Sequence, residues 1–121
     1  MKIYLAGPMR GLPEFNFPAF HRYAAQLRAE GHTVFSPAEK DIERAGGVDI
    51  SRGNATGSLA QLEKQHGFSA RVAIADDLDF ICRHAEGIAM MPGWQNSKGA
   101  TLEHLAAQFC GIEIILLKPL T

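Results

Sequence analysis

The 121-residue chain has two cysteines, no surplus of either charge and no long apolar run, and each shortage removes a class of protein. Cys82 and Cys110 show no Cys-x-x-Cys spacing, which excludes a disulfide-stapled secreted domain and a zinc ribbon. Both fall in apolar helical contexts and are expected to be buried thiols in a reducing cytoplasm. No signal peptide is visible. Twelve Lys and Arg against thirteen Asp and Glu give a net charge of -1, without the electrostatic footprint of a nucleic-acid or membrane-surface binder. The apolar run Ile3 to Ala6 is far short of the roughly 18 residues a membrane span needs, and no later segment approaches that length. The five histidines, His21, His32, His66, His84 and His104, pair with no other ligand in a metal motif, so neither a metal nor a cofactor is expected. GxxxxGK[ST] and GxGxxG are both missing, which leaves ATPase and dinucleotide-redox readings little support. The remaining expectation is a small-molecule partner.

With 46% hydrophobic residues and no repeat or linker, residues 1–121 read as one domain. Lys2 to Ala6 reads as a strand ending in Gly7-Pro8. Phe17, Phe20, Ala24 and Leu27 then recur at helical spacing until Gly31, and His32 to Phe35 forms a second strand. This βαβ unit requires parallel, right-handed pairing. Residues 36–67 read as an irregular insertion rich in Gly and charge, helical only from Ser58 to His66, and a stretch of that length is more often functional or mobile than structural. The helical pattern returns from Ser69 to His84 with Ile74, Leu78, Ile81 and Ala85 on one stripe. A strand from Gly87 to Met91, another helix and a last strand from Ile112 to Leu117 follow. The predicted architecture is a flavodoxin-like, doubly wound α/β sheet of four or five parallel strands in a Rossmann-like three-layer α/β/α arrangement.

The run Met90-Met91-Pro92-Gly93-Trp94-Gln95-Asn96-Ser97-Lys98-Gly99-Ala100-Thr101-Leu102-Glu103 carries a strand through a Pro-Gly turn onto a helix bearing a carboxylate. Open α/β sheets bind ligands at such turns, where the first helix amides offer free donors. With Ser97 as N-cap, the pattern predicts Leu102, Leu105, Ala106 and Phe109 to be buried, with Gly99 and Glu103 four residues apart on a neighbouring face. Gly inside a helix costs about 1 kcal/mol relative to Ala, so close approach of backbone or ligand is expected at Gly99. Read alone, Glu103 is equally a site carboxylate or an exposed glutamate.

On the preceding helix, Asp77 stands three residues after Ile74 and four before Ile81, at the edge of the apolar stripe, whereas Asp76 and Asp79 fall on the polar side. A carboxylate at a buried edge must be paired, hydrogen-bonded or protonated, which suits either acid-base work or a structural pairing. The first strand ends Tyr4-Leu5-Ala6-Gly7-Pro8-Met9-Arg10-Gly11, bringing a phenol, a tight turn and a guanidinium to the crevice edge. Arg10 suits bidentate contact with a phosphate or carboxylate, and Ser97, Lys98 and the adjacent amides suit an anion at the helix start.

Taken together and in order, Lys2-Ile3-Tyr4-Leu5-Ala6-Gly7-Pro8-Met9-Arg10-Gly11, Asp77-Leu78 and Gly99-Ala100-x-x-Glu103 resemble the nucleoside 2-deoxyribosyltransferase family and its nucleotide N-glycosidase relatives, most closely a small branch common in phages and prophages. The resemblance spans nearly the whole chain. It implies Glu103 as the nucleophile that attacks the anomeric carbon, Tyr4 as the residue that orients it, and Asp77 as the acid that contacts the leaving base. It likewise implies Arg10 and Ser97 as 5′-phosphate contacts. From their place at the two turns, Gly7, Pro8, Gly93, Lys98 and Gly99 are expected to border the substrate, with Trp94 suited to stack on a base and Gln95 or Asn96 to hydrogen-bond its edge. That chemistry suits two carboxylates, one trapping an oxocarbenium-like centre and one assisting departure. Such a family also implies a homodimer or larger homo-oligomer with neighbouring subunits completing the sites. Transferases of the family carry an acid between the third strand and the nucleophile's helix where this chain has Trp94-Gln95-Asn96, so the base and the choice between transfer and hydrolysis stay open. Trp94 suits either stacking on a base or a lid. Two alternatives stand beside this reading: a ribonucleoside monophosphate phosphoribohydrolase, whose PGG-x-GT-x-x-E signature is loosely similar, and a nucleotide-binding module without turnover.

Overall fold

Four short apolar segments build the sheet: β1 (Lys2–Ala6), β2 (Thr33–Phe35), β3 (Gly87–Met90) and β4 (Glu113–Leu116). In the computed structural model, which describes residues 1–120, they lie in the order β2-β1-β3-β4 and every pairing is parallel. The register Ile3 to Gly87 and Ala6 to Met90 brings the carboxyl ends of the two central strands level. Both strands are buried along nearly their whole length, as expected of a parallel sheet covered on two faces.

Period-2 alternation divides the core into two layers. Ile3 and Leu5 of β1 pack with Phe17, Phe20, Ala24 and Leu27 of α1 (Phe17–Ala29) on one face. Tyr4 and Ala6, with Ile88 and Met90 of β3, pack on the other against α4 (Ala70–Arg83) and α5 (Lys98–Cys110) through Ile81, Ala100 and Ala107. The result is the expected flavodoxin-like three-layer α/β/α arrangement, with four strands. Gly7 is required at the end of β1, since a Cβ there would stand 2.6 Å from the Met91 sulfur. Among the described residues no helix is long and apolar enough to cross a membrane.

Three expectations fail here, each for a physical reason. The stretch 36–67 is not an irregular insertion: it holds α2 (Pro37–Arg44) as well as α3 (Leu59–His66). α2 escapes an apolar-periodicity reading because five of its eight residues are charged. It packs Ala38 into the α1-side core and is flanked by ion pairs, Arg28 to Glu39 at 2.6 Å from α1 and Arg44 to Asp76 at 3.0 Å from α4. The loop after α2 is pinned too. Ile50 is buried in the α1-side core, the Asn54 amide brackets Ser58 with two 2.9 Å bonds, and the Gly11 amide donates to the Gly57 carbonyl at 3.0 Å.

The apolar stripe of α5 faces outward. Leu102, Leu105 and Phe109 are 45%, 61% and 92% exposed and Ala106 is half-buried, while Ala100, Glu103 and Ala107 face the sheet. The two stripes lie about 200° apart, two residues at 100° each. The small-residue stripe is the one that permits close approach to β1 and β3, and it carries Glu103 inward with it. Ser97 caps this helix as expected, its Oγ accepting from the Ala100 amide at 3.2 Å. Cys82 and Cys110, expected to be buried, are both exposed at the ends of α4 and α5: Cys110 follows the outward-facing Phe109, and Cys82 lies one residue, about 100°, beyond the buried Ile81.

Candidate active site

Four elements start or stop at the carboxyl edge of the sheet, and together they enclose a cleft of about 530 Å³. The end of β1 supplies Tyr4, Gly7, Pro8 and Arg10; α2 supplies Asp41; α4 supplies Arg71 and Asp77; the start of α5 supplies Ser97, Lys98, Gly99 and Glu103. Phe15, Leu62 and Phe68 give the cleft an apolar lining, and the segment read as an insertion borders it through Pro37, Asp41, Leu59 and Leu62. Phe15 reaches it from a left-handed turn in which Glu14, Phe15 and Asn16 have φ of 51°, 52° and 59°. Three non-glycine residues in that region cost about 1–2 kcal/mol each. The turn is held by the Glu14 amide donating to the Asn54 carbonyl at 2.8 Å and the Asn16 amide group donating to the Pro8 carbonyl at 3.0 Å.

At the floor, Tyr4 is fully buried and its hydroxyl donates to Glu103 Oε2 at 2.5 Å. Burial and the neighbouring Glu103 hold the phenol well above its usual range, so it stays protonated as a donor. Glu103 itself is pushed up to about 8, chiefly by burial, with the Tyr4 hydrogen bond opposing and the charges of Asp77 and Asp41 adding to the rise. Asp77 is pushed up to about 6 by burial against the pull of Arg44. One of its oxygens, Oδ1, is buried without a hydrogen-bond partner, and Arg44 Nη2 stands 3.7 Å away. Asp41, pushed up to about 7 by burial, completes a group of three buried carboxyls, of which Asp41 and Asp77 lie beside the Arg44 guanidinium. Like charges in so dry a place cannot all ionise near neutrality, so the cluster carries both a proton donor and a carboxylate at the same pH.

The rim is cationic. Arg10, Arg71 and Lys98 border the cleft, and among the described residues none has a carboxylate within ion-pair distance. An anionic group entering there meets charges that are not already committed.

Of the residues singled out in the sequence, Tyr4, Gly7, Pro8, Arg10, Asp77, Ser97, Lys98, Gly99 and Glu103 meet in this cleft. Gly93, Trp94 and Gln95 do not border it. Gly93 makes the turn with φ of 84°, Gln95 lies in a shallow hollow beside Thr101 and Leu105, and the Trp94 ring stacks on His104 with centroids 4.3 Å apart. Asn96 is the member of that stretch that does border the cleft. Asp41, Arg44 and Arg71 were not legible as site residues. The available signal for Asp41 was Ser36-Pro37 directly after β2, a helix start at the same sheet edge, which puts Ala38 and Asp41 on one inward face.

The fold and the cleft define an open parallel α/β protein with a buried acidic cluster at the carboxyl edge of its sheet. The chain belongs to the family described as a domain of unknown function, DUF4406, whose model matches residues 1–116. Among curated proteins and solved structures none matches it.

Proposed function

We propose that the protein cleaves or transfers the N-glycosidic bond of 2′-deoxyribonucleosides or their 5′-monophosphates through a covalent glycosyl–Glu103 intermediate. The observation that carries this reading is the Tyr4–Glu103 hydrogen bond beside a second buried carboxyl, Asp77, one of whose oxygens has no partner. The sequence resemblance to the 2-deoxyribosyltransferases supports it. In the reactive form the proton that burial holds on Glu103 sits on Asp77 instead; Tyr4 then holds Oε2 of the Glu103 carboxylate, which leaves Oε1 to attack the anomeric carbon. As that C–O bond forms the N-glycosidic bond breaks, its electron pair leaves with the base, and Asp77 delivers a proton to it. Water or a second base then attacks the same carbon, releases Glu103 as a carboxylate and returns a proton to Asp77. No metal or cofactor takes part.

The test is incubation with a panel of deoxyribo- and ribonucleosides and their monophosphates, with free base quantified by chromatography. Release from the deoxy substrates is expected; release confined to ribonucleotides favours a phosphoribohydrolase, and binding without release a sensing module. A preference for monophosphates is expected from the uncommitted rim cations. A charge-assisted phosphate contact is worth about 1.5–3 kcal/mol, so Arg10→Ala should lower kcat/KM on monophosphates by roughly ten- to a hundredfold. Nucleosides should be far less affected. An equal loss on both would make Arg10 structural.

A second copy of the chain is the proposed occupant of the exposed α5 stripe. Leu102, Leu105 and Phe109 repeat at i, i+3 and i+7, a self-complementary pattern suited to isologous two-fold packing, and Leu102 also borders the cleft. A copy seated there would narrow the cleft mouth. Light scattering on a dilution series should give a dimer, and Phe109→Glu should shift it to monomer; a wild-type monomer with full activity would contradict this.

A further inference from the structure

Arg44 meets three carboxylates from two helices, and it treats them unequally. Its Nη1 donates to Asp41 at 2.7 Å and its Nε to Asp76 at 3.0 Å, while its Nη2 stops 3.7 Å from Asp77. The guanidinium is therefore anchored at two edges and held just short of hydrogen bonding at the third. The oxygen it falls short of is the buried Asp77 Oδ1 that has no partner. Asp41 is itself buried and borders the cleft, yet no step of the reaction above uses it.

We propose that Asp41 and Arg44 form a positioning pair for Asp77: Asp41 takes up the guanidinium that would otherwise close onto Asp77, leaving its Oδ1 buried, unbonded and able to keep the proton a departing base requires. The role in catalysis rests on the glycosidic reading; the arrangement of charges does not. The groups facing Asp77 are Tyr4 from β1, Asp41 and Arg44 from α2, Asp76 from its own helix and Glu103 from α5. Among these Arg44 is the one cation, so its distance from Asp77 governs how readily the proton leaves. A guanidinium in full contact typically lowers an aspartate by one to three pH units, which would take Asp77 down from about 6 and shrink further the share of molecules that carry its proton near neutral pH.

The pair can be told from a merely structural one because its two members act with opposite sign. In Asp41→Asn the freed Arg44 swings onto Asp77 and the proton is lost at lower pH. In Arg44→Met the counter-charge is gone and the proton is kept to higher pH. The experiment follows the Asp77 carboxyl by carbon NMR across a pH titration of the full chain, assigned with Asp77→Asn, beside the pH profile of kcat/KM for base release. Asp41→Asn is expected to move the Asp77 midpoint, and the alkaline limb of the profile, down by about one pH unit; Arg44→Met is expected to move both up by a similar amount. If Arg44→Met does not fold, Arg44→Lys, whose single ammonium cannot span two acids, should move the midpoint in the same upward direction by less. Shifts of the same sign in the two members, or no shift in either, would overturn the pair. Should no variant release base, the glycosidic reading fails while the NMR midpoints still decide the arrangement of charge.

Discussion

Glu103→Gln is expected to abolish base release, by about 10⁴-fold or more, and at the same time to raise the melting temperature at pH 8. The first effect follows because removal of a nucleophile leaves only binding and residual electrostatics. The second follows from burial. In the unfolded chain Glu103 ionises near 4.5, while the folded protein holds its proton up to about 8. Below 4.5 both states are protonated and nothing is lost. As pH rises from 4.5 to about 8 the unfolded state gains by ionising and the folded state does not, a penalty on the order of 5 kcal/mol once complete. Asp41 and Asp77 act with the same sign over the windows 3.8 to about 7 and 3.8 to about 6. The wild type should therefore melt progressively lower between pH 5 and pH 8, and Glu103→Gln should open a gap of several degrees at pH 8 that closes near pH 4.5. Calorimetry beside the chromatographic assay reads both. Undiminished turnover in the variant would remove Glu103 from the chemistry, and a lower melting point at pH 8 would contradict the buried acidic cluster.

Asp77→Asn is expected to lower kcat by about 10²- to 10⁴-fold, the usual worth of general acid help. Asparagine keeps the shape and removes the transferable proton. Its neighbours supply the controls. Asp79 is exposed and paired with Arg83 at 2.7 Å, so Asp79→Asn should stay within a few-fold of wild type, while Asp76→Asn, at an exposed anchor of Arg44, should lose less than Asp77→Asn. Substrates whose bases leave readily without a proton should suffer least from Asp77→Asn. Equal losses at all three positions would contradict the distinction drawn by burial.

Asp77 illustrates what periodicity can find. Its place three residues after Ile74 and four before Ile81 marks it as the inward acid of α4, and the fold buries it to 6% exposure. The strand order and layers were equally legible, since alternating apolar strands and helices joined by right-handed crossovers leave few topologies. α5 shows the limit of the same reasoning. It carries two inward-capable stripes, and hydrophobicity points to Leu102, Leu105 and Phe109, whereas close packing against the central strands selects Ala100 and Ala107. Glu103 was correctly placed on the helix behind the turn, but the reason it is buried, its membership of the small-residue stripe, was not visible. α2 and the Asp41–Arg44 pair were hidden for a related reason. α2 buries only Pro37, Ala38 and Asp41, and its charged residues meet α1 and α4 through pairs between residues 28 and 39 and between 44 and 76, long-range partners that no local pattern encodes. Trp94 drew attention as a base-stacking candidate and is instead stacked on His104, a contact set by the geometry of the helix start.

The claim that Glu103 forms a covalent glycosyl intermediate is tested most directly by stereochemistry. A 2′-deoxynucleoside monophosphate turned over in water containing methanol yields a methyl glycoside whose anomeric configuration cannot re-equilibrate, and proton NMR reads that configuration. Two successive displacements, first by Glu103 and then by methanol, predict retention of the β configuration of the substrate. An inverted methyl glycoside, or substrate recovered intact, would contradict the account.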